Sequence, residues 1–166
     1  MRVPTLKGRR APHHEGATDV TWEPPERIRG IVLSVVRIVV SFMFLLHGVA
    51  TLFGPFTPHG ESTPVGQWPS WWAGLIQFVG GGLVLLGLFT RPAALVCSGA
   101  MAFAYFKVHQ PRGLFPIQNA GELAAMYSWT FLLIAALGAG PFALDALIRQ
   151  RRRAPEPGST AGARER

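Results

Sequence analysis

Four long apolar segments, separated by segments rich in proline and glycine, dominate the chain. They cover approximately residues 31–53, 71–89, 92–108 and 123–137. A transmembrane helix needs about 20 apolar residues, with a range of about 17–25, so the first two segments fit directly and the last two are short. Lipid offers backbone groups no hydrogen-bond partners, so each segment is predicted to be helical. The pattern predicts an all-α integral membrane protein, a bundle of four antiparallel transmembrane helices.

The same pattern divides the chain into three parts. Residues 1–29 form a basic, proline-rich N-terminal tail, residues 30–148 contain the four apolar segments, and residues 149–166 form a basic C-terminal tail that we expect to be disordered. The first 29 residues are polar and do not resemble a cleaved signal peptide. The first apolar segment is therefore expected to remain attached as a membrane span.

Composition and charge strengthen the membrane interpretation. The chain has 166 residues, of which 49% are hydrophobic and 15% are charged. Between Ile38 and Thr90 the only charged residue is Glu61. A helix on the surface of a soluble domain needs a polar face, so an ordinary soluble domain is excluded. The formal net charge is +7, and the basic residues flank the apolar segments. This placement favours membrane lipids over nucleic acid as the partner.

The distribution of lysine and arginine predicts the orientation in the membrane. These residues concentrate in both tails and at Arg91 in the second connection, whereas only Lys107 and Arg112 lie near the third connection. Basic residues accumulate on the cytoplasmic side of membrane proteins. We therefore expect a multi-pass plasma-membrane protein with both termini in the cytoplasm, and with residues 54–70 and 110–120 outside.

Small residues and the single cysteine are expected to have packing roles. Gly74 and Gly81 share one helical face, which lets two helix backbones approach closely in lipid. Cys97 lies in an apolar segment and has no second cysteine to pair with, so it is interpreted as a small buried side chain.

One arginine lies inside the first apolar segment. Arg37 is about two helical turns from the predicted cytoplasmic surface. Its guanidinium can extend to the inner headgroups, or it can face inward and pair with Asp145, which is at a matching depth. A structural role is favoured over direct participation in function.

The predicted topology brings six polar side chains to one depth near the outer surface. We expect His47 and Glu122 to handle protons as the candidate catalytic pair, because histidine titrates near neutral pH. Four others are expected to bind a ligand, with a quinone headgroup as the candidate: Gln77, Lys107, His109 and Asn119. A purely structural cluster is equally compatible with these residues. The absence of closely spaced ligand motifs disfavours a metal or haem, and the cofactor stays unknown.

Several motifs together resemble a known family. They are Arg37 with His47–Gly48, the block from Gln77 to Arg91 (QFVGGGLVLLGLFTR), Val108–His109, Asn119–Ala–Gly–Glu122, and Gly140–Pro141 followed by Leu144–Asp145. Over about residues 29–147 the chain resembles the DoxX family of small four-helix bacterial membrane proteins. The resemblance implies a respiration- or redox-linked protein related to subunits of quinol oxidases. Members of the family commonly carry Glu at the position where this chain has Gln77. The expected cluster therefore has one ionisable group fewer in this chain.

Three functional interpretations stay open at this level. The first is a redox-linked protein, either a quinone-interacting oxidoreductase or an accessory subunit that partners other redox or respiratory membrane proteins. The second is a non-catalytic assembly or scaffolding subunit, in which the same polar groups only fix the packing of the helices. The third is a small transporter or channel, which would need oligomerisation because four short spans leave little room for a pore.

Overall fold

In a computed structural model, which describes residues 25–57 and 60–153, the chain is helical with no β-strand in those ranges. The prediction of an all-α fold is confirmed. The expected N-terminal tail up to residue 24 and the C-terminal residues 154–166 lie outside the described residues. The α-helices are α1 (Glu26–Phe53), α2 (Ser70–Leu86), α3 (Thr90–Ala104), α4 (Pro116–Asn119), α5 (Glu122–Leu137) and α6 (Leu144–Arg153).

The helix boundaries follow from local sequence. Helix α1 begins directly after Pro25, several residues before the predicted span, and Glu26 in its first turn favours a helix N-terminus. Helix α3 continues beyond Ala104 as a π-helical turn over Tyr105–His109 and a 3-10 turn over Gln110–Arg112. Helix α5 matches the fourth predicted segment to within one residue at its start.

The C-terminal helix α6 was not expected. The expected disordered tail began at residue 149, whereas α6 continues to Arg153. Leu144, Leu147 and Ile148 have the three- and four-residue spacing of one helical face. Asp145 in the first turn and the arginines in the last turn complement the helix dipole, which explains why this segment is helical.

Each of the four long helices runs antiparallel to its neighbour in sequence, and α5 also runs antiparallel to α1. Helix α1 packs mainly on α2 and α3 packs mainly on α5, whereas α1 and α5 pack less closely. We call this looser junction the α1–α5 seam. Aromatic side chains fill the centre, where Phe44 lies 5.0 Å from Tyr127 and 4.6 Å from Phe131 between ring centroids. Cys97 is fully buried beside them, as expected.

Glycines set the close contact between α1 and α2. A Cβ atom on Gly48 would overlap backbone atoms of Gln77 and Phe78, and would lie 2.9 Å from the carbonyl oxygen of Gly74. A Cβ atom on Gly81 would lie 3.1 Å from the backbone nitrogen of Leu45. The prediction that Gly74 and Gly81 permit close helix packing is therefore consistent with the structure; Gly48 is the partner of Gly74 on α1, and Leu45 lies against Gly81.

The surface of the bundle is apolar, and part of its interior is polar. The residues that α1 buries recur at intervals of three and four: Ser34, Arg37, Ser41, Phe44 and Gly48. Its exposed residues include Val32, Val35 and Val39, each at least 50% exposed. This arrangement is the reverse of that in a water-soluble helix, and contiguous apolar surface of this kind is typical of contact with lipid or another protein.

Length and apolarity identify one clear membrane helix. Within the described residues, α1 with 28 residues is the helix that is both long and apolar enough to cross a membrane. Helices α2 and α5 are apolar but shorter, with 17 and 16 residues.

The contact at Gly48 gives a direct test of the packing. We expect Gly48→Ala to lower the free energy of unfolding by about 2 kcal/mol, because the added methyl group meets rigid backbone rather than a flexible side chain. Thermal unfolding of the detergent-solubilised protein, followed by circular dichroism, measures the change. Gly99→Ala is the matched control, since nothing lies within 4 Å of its Cβ. Equal melting temperatures for the two variants would contradict this description of the α1–α2 contact.

Candidate functional site

Arg37 is fully buried and its charge is satisfied by backbone oxygens. The guanidinium donates hydrogen bonds to four carbonyls: Nη1 to Val84 and to Leu85 (2.6 Å for Leu85), Nε to Ala139 (2.9 Å), and Nη2 to Phe142. The first two carbonyls lie in the last turn of α2, where helix carbonyls lack intrahelical partners. The other two lie in residues 138–143, the link between α5 and α6. Arg37 therefore joins three parts of the bundle.

Asp145 accepts hydrogen bonds from the start of α3, whereas Arg37 donates hydrogen bonds to the end of α2. Its Oδ1 accepts a hydrogen bond from the Phe89 N–H, and its Oδ2 accepts hydrogen bonds from the N–H and the hydroxyl of Thr90, at 3.1–3.2 Å. Burial alone would raise the pKa of the Asp145 carboxyl, but the hydrogen bonds from Thr90 and Phe89 and the charge of Arg149 lower this pKa below its usual value. The carboxylate is thus held ionised at the positive end of a helix.

The expected pairing of Arg37 with Asp145 takes an indirect form. In the described residues the Arg37 guanidinium donates to carbonyls at the end of α2, and the Asp145 carboxylate accepts from the start of α3. The positive charge therefore stabilises the C-terminal end of one helix, and the negative charge stabilises the N-terminal end of the next. Gly87 makes this arrangement possible. It has a φ of 71°, and a Cβ there would lie 2.5 Å from the Cβ of Ala143 and 3.3 Å from Nη1 of Arg37. We call this region the Arg37 end of the bundle.

The opposite end, which we call the His47 end, contains the six polar residues predicted from depth. Two of them, His47 and Gln77, lie at the level of a third polar residue, Tyr127. The exposed ring of His47 lies edge-on to Tyr127, with ring centroids 5.9 Å apart. Gln77 is at the same level, since the backbone of Gln77 meets Gly48, the neighbour of His47. His47 of α1 and Tyr127 of α5 are therefore in contact, and Gln77 of α2 lies at their level, so we treat these three residues as one group.

Two polar atoms of this group are buried without a partner among the residues that the structure describes. The Oε1 of Gln77 and the hydroxyl of Tyr127 are both inaccessible to solvent and form no hydrogen bond within residues 25–57 and 60–153. Tyr127 is only 7% exposed. An unpaired buried polar group costs about 1–3 kcal/mol, so two such groups at one level need a physical reason.

His109 and Asn119 form a separate cluster whose hydrogen bonds are complete. Asn119 is 2% exposed; its amide donates to the Gly113 carbonyl at 2.8 Å and its Oδ1 accepts from the Gly121 N–H at 2.8 Å. The Nδ1 of His109 lies 3.1 Å from the Asn119 carbonyl oxygen. These contacts close the turn between α3 and α5, so the cluster has a structural explanation.

Lys107 and Glu122 are exposed, and within the described residues no hydrogen bond or ion pair joins either of them to His47. Glu122 is in the first turn of α5, where a carboxylate complements the helix dipole. It is five residues from Tyr127, which places it about 140° around the helix from the side that contacts His47. The structure therefore does not bring the expected proton-handling pair of His47 and Glu122 together.

Tyr127 is the residue that the sequence-based reasoning missed. A tyrosine about one and a half turns into an apolar segment, at the depth of His47 and Gln77, was the available signal. Within residues 25–57 and 60–153, no group of three or more His, Cys, Asp or Glu side chains is arranged to hold a metal ion.

Substitution of Arg37 tests whether its hydrogen bonds to the backbone stabilise the fold. We expect Arg37→Met, which keeps an unbranched but shorter side chain and removes its donors, to lower the free energy of unfolding by about 3 kcal/mol or more, because the carbonyls of Leu85 and Ala139 lose the partner that Arg37 provides. Arg112→Met, at an exposed position, is the matched control and should be close to neutral. Chemical denaturation in mixed micelles provides the comparison. A stable Arg37→Met protein would show that these hydrogen bonds are dispensable.

The sequence of the chain is similar to a known family and to two known proteins. The DoxX family model matches residues 32–110, a range that includes Arg37, His47 and Gln77. An uncharacterized protein of Haemophilus influenzae is 45% identical over 124 residues, which cover 72% of this chain and 92% of that protein. A second uncharacterized protein of the same organism is 31% identical over 68 residues, 41% of this chain and 45% of that protein. No solved structure matches the chain. The chain belongs to the DoxX family.

Proposed function

We propose that the chain is an integral plasma-membrane protein that crosses the bilayer four times, with both termini in the cytoplasm. The support is the reversed polarity of the bundle, which exposes valine, leucine and phenylalanine around its circumference while Arg37, Ser34 and Ser41 are inside. The lysines and arginines concentrate at the Arg37 end and in both tails. In this orientation the Arg37 end faces the cytoplasm and the His47 end faces outward.

The shorter helices are compatible with this topology. Helix α2, with 17 residues, is about 25 Å long, and α3 with its π-helical turn Tyr105–His109 reaches a similar length. Short apolar helices are accommodated by local thinning of the bilayer and by interfacial side chains. Trp68 and Trp72, exposed at the outer start of α2, are suited to that interface.

We infer that the group of His47, Gln77 and Tyr127 binds a quinone headgroup, and that the protein acts in membrane redox chemistry. The observation that carries the proposal is the pair of unpartnered buried polar atoms, the Gln77 Oε1 and the Tyr127 hydroxyl. A quinone has two carbonyl oxygens, and the Tyr127 O–H can donate to one of them. The Gln77 oxygen can accept from the hydroxyl of the reduced form, and its NH₂ can donate to the oxidised form after a flip of the amide.

The α1–α5 seam gives a lipid-soluble molecule a route to this group. His47 lies on the seam with its ring exposed, and its inner edge contacts Tyr127. The imidazole of His47 has two ring nitrogens that can hold or release a proton, so His47 can give a proton to a quinone as the quinone is reduced and can accept one back. Reduction of a quinone takes two electrons and two protons; we propose that a partner redox protein supplies the electrons, as the role of an accessory subunit requires.

Binding of decylubiquinone to the purified, quinone-depleted protein tests this proposal. We expect Tyr127→Phe and Gln77→Leu each to weaken binding about fivefold, because each removes one hydrogen bond to the ligand. Quenching of tryptophan fluorescence during the titration measures the affinity. The melting temperature without ligand should stay the same or rise, because an unpartnered polar atom is removed from the interior.

Tyr105→Phe is the matched control. It removes the same hydroxyl from a half-buried ring that contacts Phe106 at 5.3 Å and lies outside the group. Equal affinities in all three variants and the native protein, or no saturable quenching at all, would contradict the quinone proposal. That result would favour the assembly or scaffolding role.

A further inference from the structure

Two adjoining clefts lie at the Arg37 end, outside the groups discussed above. The first, with a volume of about 330 Å³, is lined by Arg91, Arg149, Gln150 and the residues that follow α5; we call it the basic cleft. The second, about 470 Å³, is a nearly apolar groove on the α1–α5 seam, lined by Val32, Val36, Leu133 and Leu137 among others; we call it the apolar groove. Leu137 belongs to the walls of both.

The basic cleft contains the guanidinium groups of Arg91 and Arg149, and the charge of Arg149 also acts on Asp145. In the described part of the chain, no hydrogen bond or ion pair engages the Arg91 guanidinium, which lies over Gly138 with its Nε 3.4 Å from the site of a Cβ. The Asp145 oxygens already accept hydrogen bonds from the start of α3. Among the residues that line the cleft, Arg91 and Arg149 contribute +2 and Asp145 contributes −1, so these three groups have a net formal charge of +1.

We propose that an anionic phospholipid of the cytoplasmic leaflet binds here, with its phosphate in the basic cleft and one acyl chain in the apolar groove. The two guanidinium groups provide the planar donors that phosphate oxygens accept best. The groove continues from the cleft past Leu137 along the membrane-facing side of α1 and α5. A free phosphate would use only the first cleft, so the paired arrangement selects a lipid.

Helix α6 supports this assignment. Leu144, Leu147 and Ile148 form an apolar face that the bundle leaves 40–54% exposed. Arg149 follows directly on the side of the basic cleft. An amphipathic helix of this composition lies in the plane of the membrane interface. It would therefore hold Arg149 at the depth of the phosphates, and the inference rests on the proposed membrane orientation but not on the quinone site.

Native mass spectrometry of the detergent-purified full chain, titrated with dioleoyl phosphatidylglycerol, tests the proposal. The double variant Arg91→Gln/Arg149→Gln should bind this lipid about 30-fold more weakly than the native protein, since each arginine near the surface contributes to the attraction. The double variant Lys107→Gln/Arg112→Gln is the matched control. It removes the same charge from exposed positions at the other end and should leave the affinity unchanged.

A second variant tests the groove without altering charge. Val32→Trp, at a position 55% exposed, fills the groove. The native protein should prefer the dioleoyl lipid to its dihexanoyl analogue, and Val32→Trp should lose most of that preference while it still folds. Tyr127→Phe should bind the lipid as the native protein does, which separates this site from the quinone proposal.

Three results would overturn the lipid site. They are equal lipid affinity in the native protein and the Arg91→Gln/Arg149→Gln variant, equal binding of dioleoyl phosphatidylcholine, and thermal protection by inorganic phosphate as large as that by the lipid. The last result would show an anion site that does not recognise a lipid.

Discussion

The hydrogen bonding of a buried guanidinium, which has no counterion in direct contact among the described residues, is the interaction on which the rest of the bundle depends. Arg37 is fully enclosed, and its charge is acceptable because four backbone carbonyls receive its hydrogen bonds. These carbonyls belong to the end of α2 and to the link after α5, while Asp145 stabilises the start of α3. One charge therefore fixes the relative positions of three helices, and a second charge of opposite sign fixes the next helix beside them. This arrangement would be hard to replace with neutral residues, because loss of the guanidinium removes a donor from several backbone carbonyls at once, although the Val84 carbonyl also accepts from the Gly87 N–H.

Buried polar groups need hydrogen-bond partners at the His47 end as well. This requirement distinguishes a structural polar group there from a candidate binding site. Asn119 is as deeply buried as a core residue, yet its amide is fully engaged by Gly113 and Gly121. Tyr127 is also buried and Gln77 is half-buried, and each keeps one inaccessible polar atom without a partner among the described residues. An apolar exterior offers no water to compensate, so such atoms are where a ligand gains the most by hydrogen bonding. This contrast, rather than the mere presence of polar residues in apolar helices, is what supports a site at His47.

Much of the fold follows from the sequence, because the length and apolarity of a segment determine whether it forms a helix in lipid. The four apolar segments correspond to α1, α2, α3 with its π-helical turn, and α5. The site was less accessible to such reasoning. Depth along the bundle could be predicted, but the direction around each helix could not, so residues at one level were grouped although Glu122 faces away from His47. Tyr127 was missed for the same reason, and α6 was missed because its charged residues resembled a disordered tail.

Labelling of single cysteines with a membrane-impermeant maleimide tests the central claim, that this apolar bundle spans the bilayer with its Arg37 end in the cytoplasm. The background is Cys97→Ala, which removes a fully buried thiol, and the reporter substitutions are Glu26→Cys, Ser62→Cys and Arg151→Cys, all at exposed positions. In intact spheroplasts that express each variant, only Ser62→Cys should react, and the other two should react after permeabilisation. Reaction of Glu26→Cys and Arg151→Cys on opposite sides of the membrane, or reaction of all three in intact spheroplasts, would contradict the account.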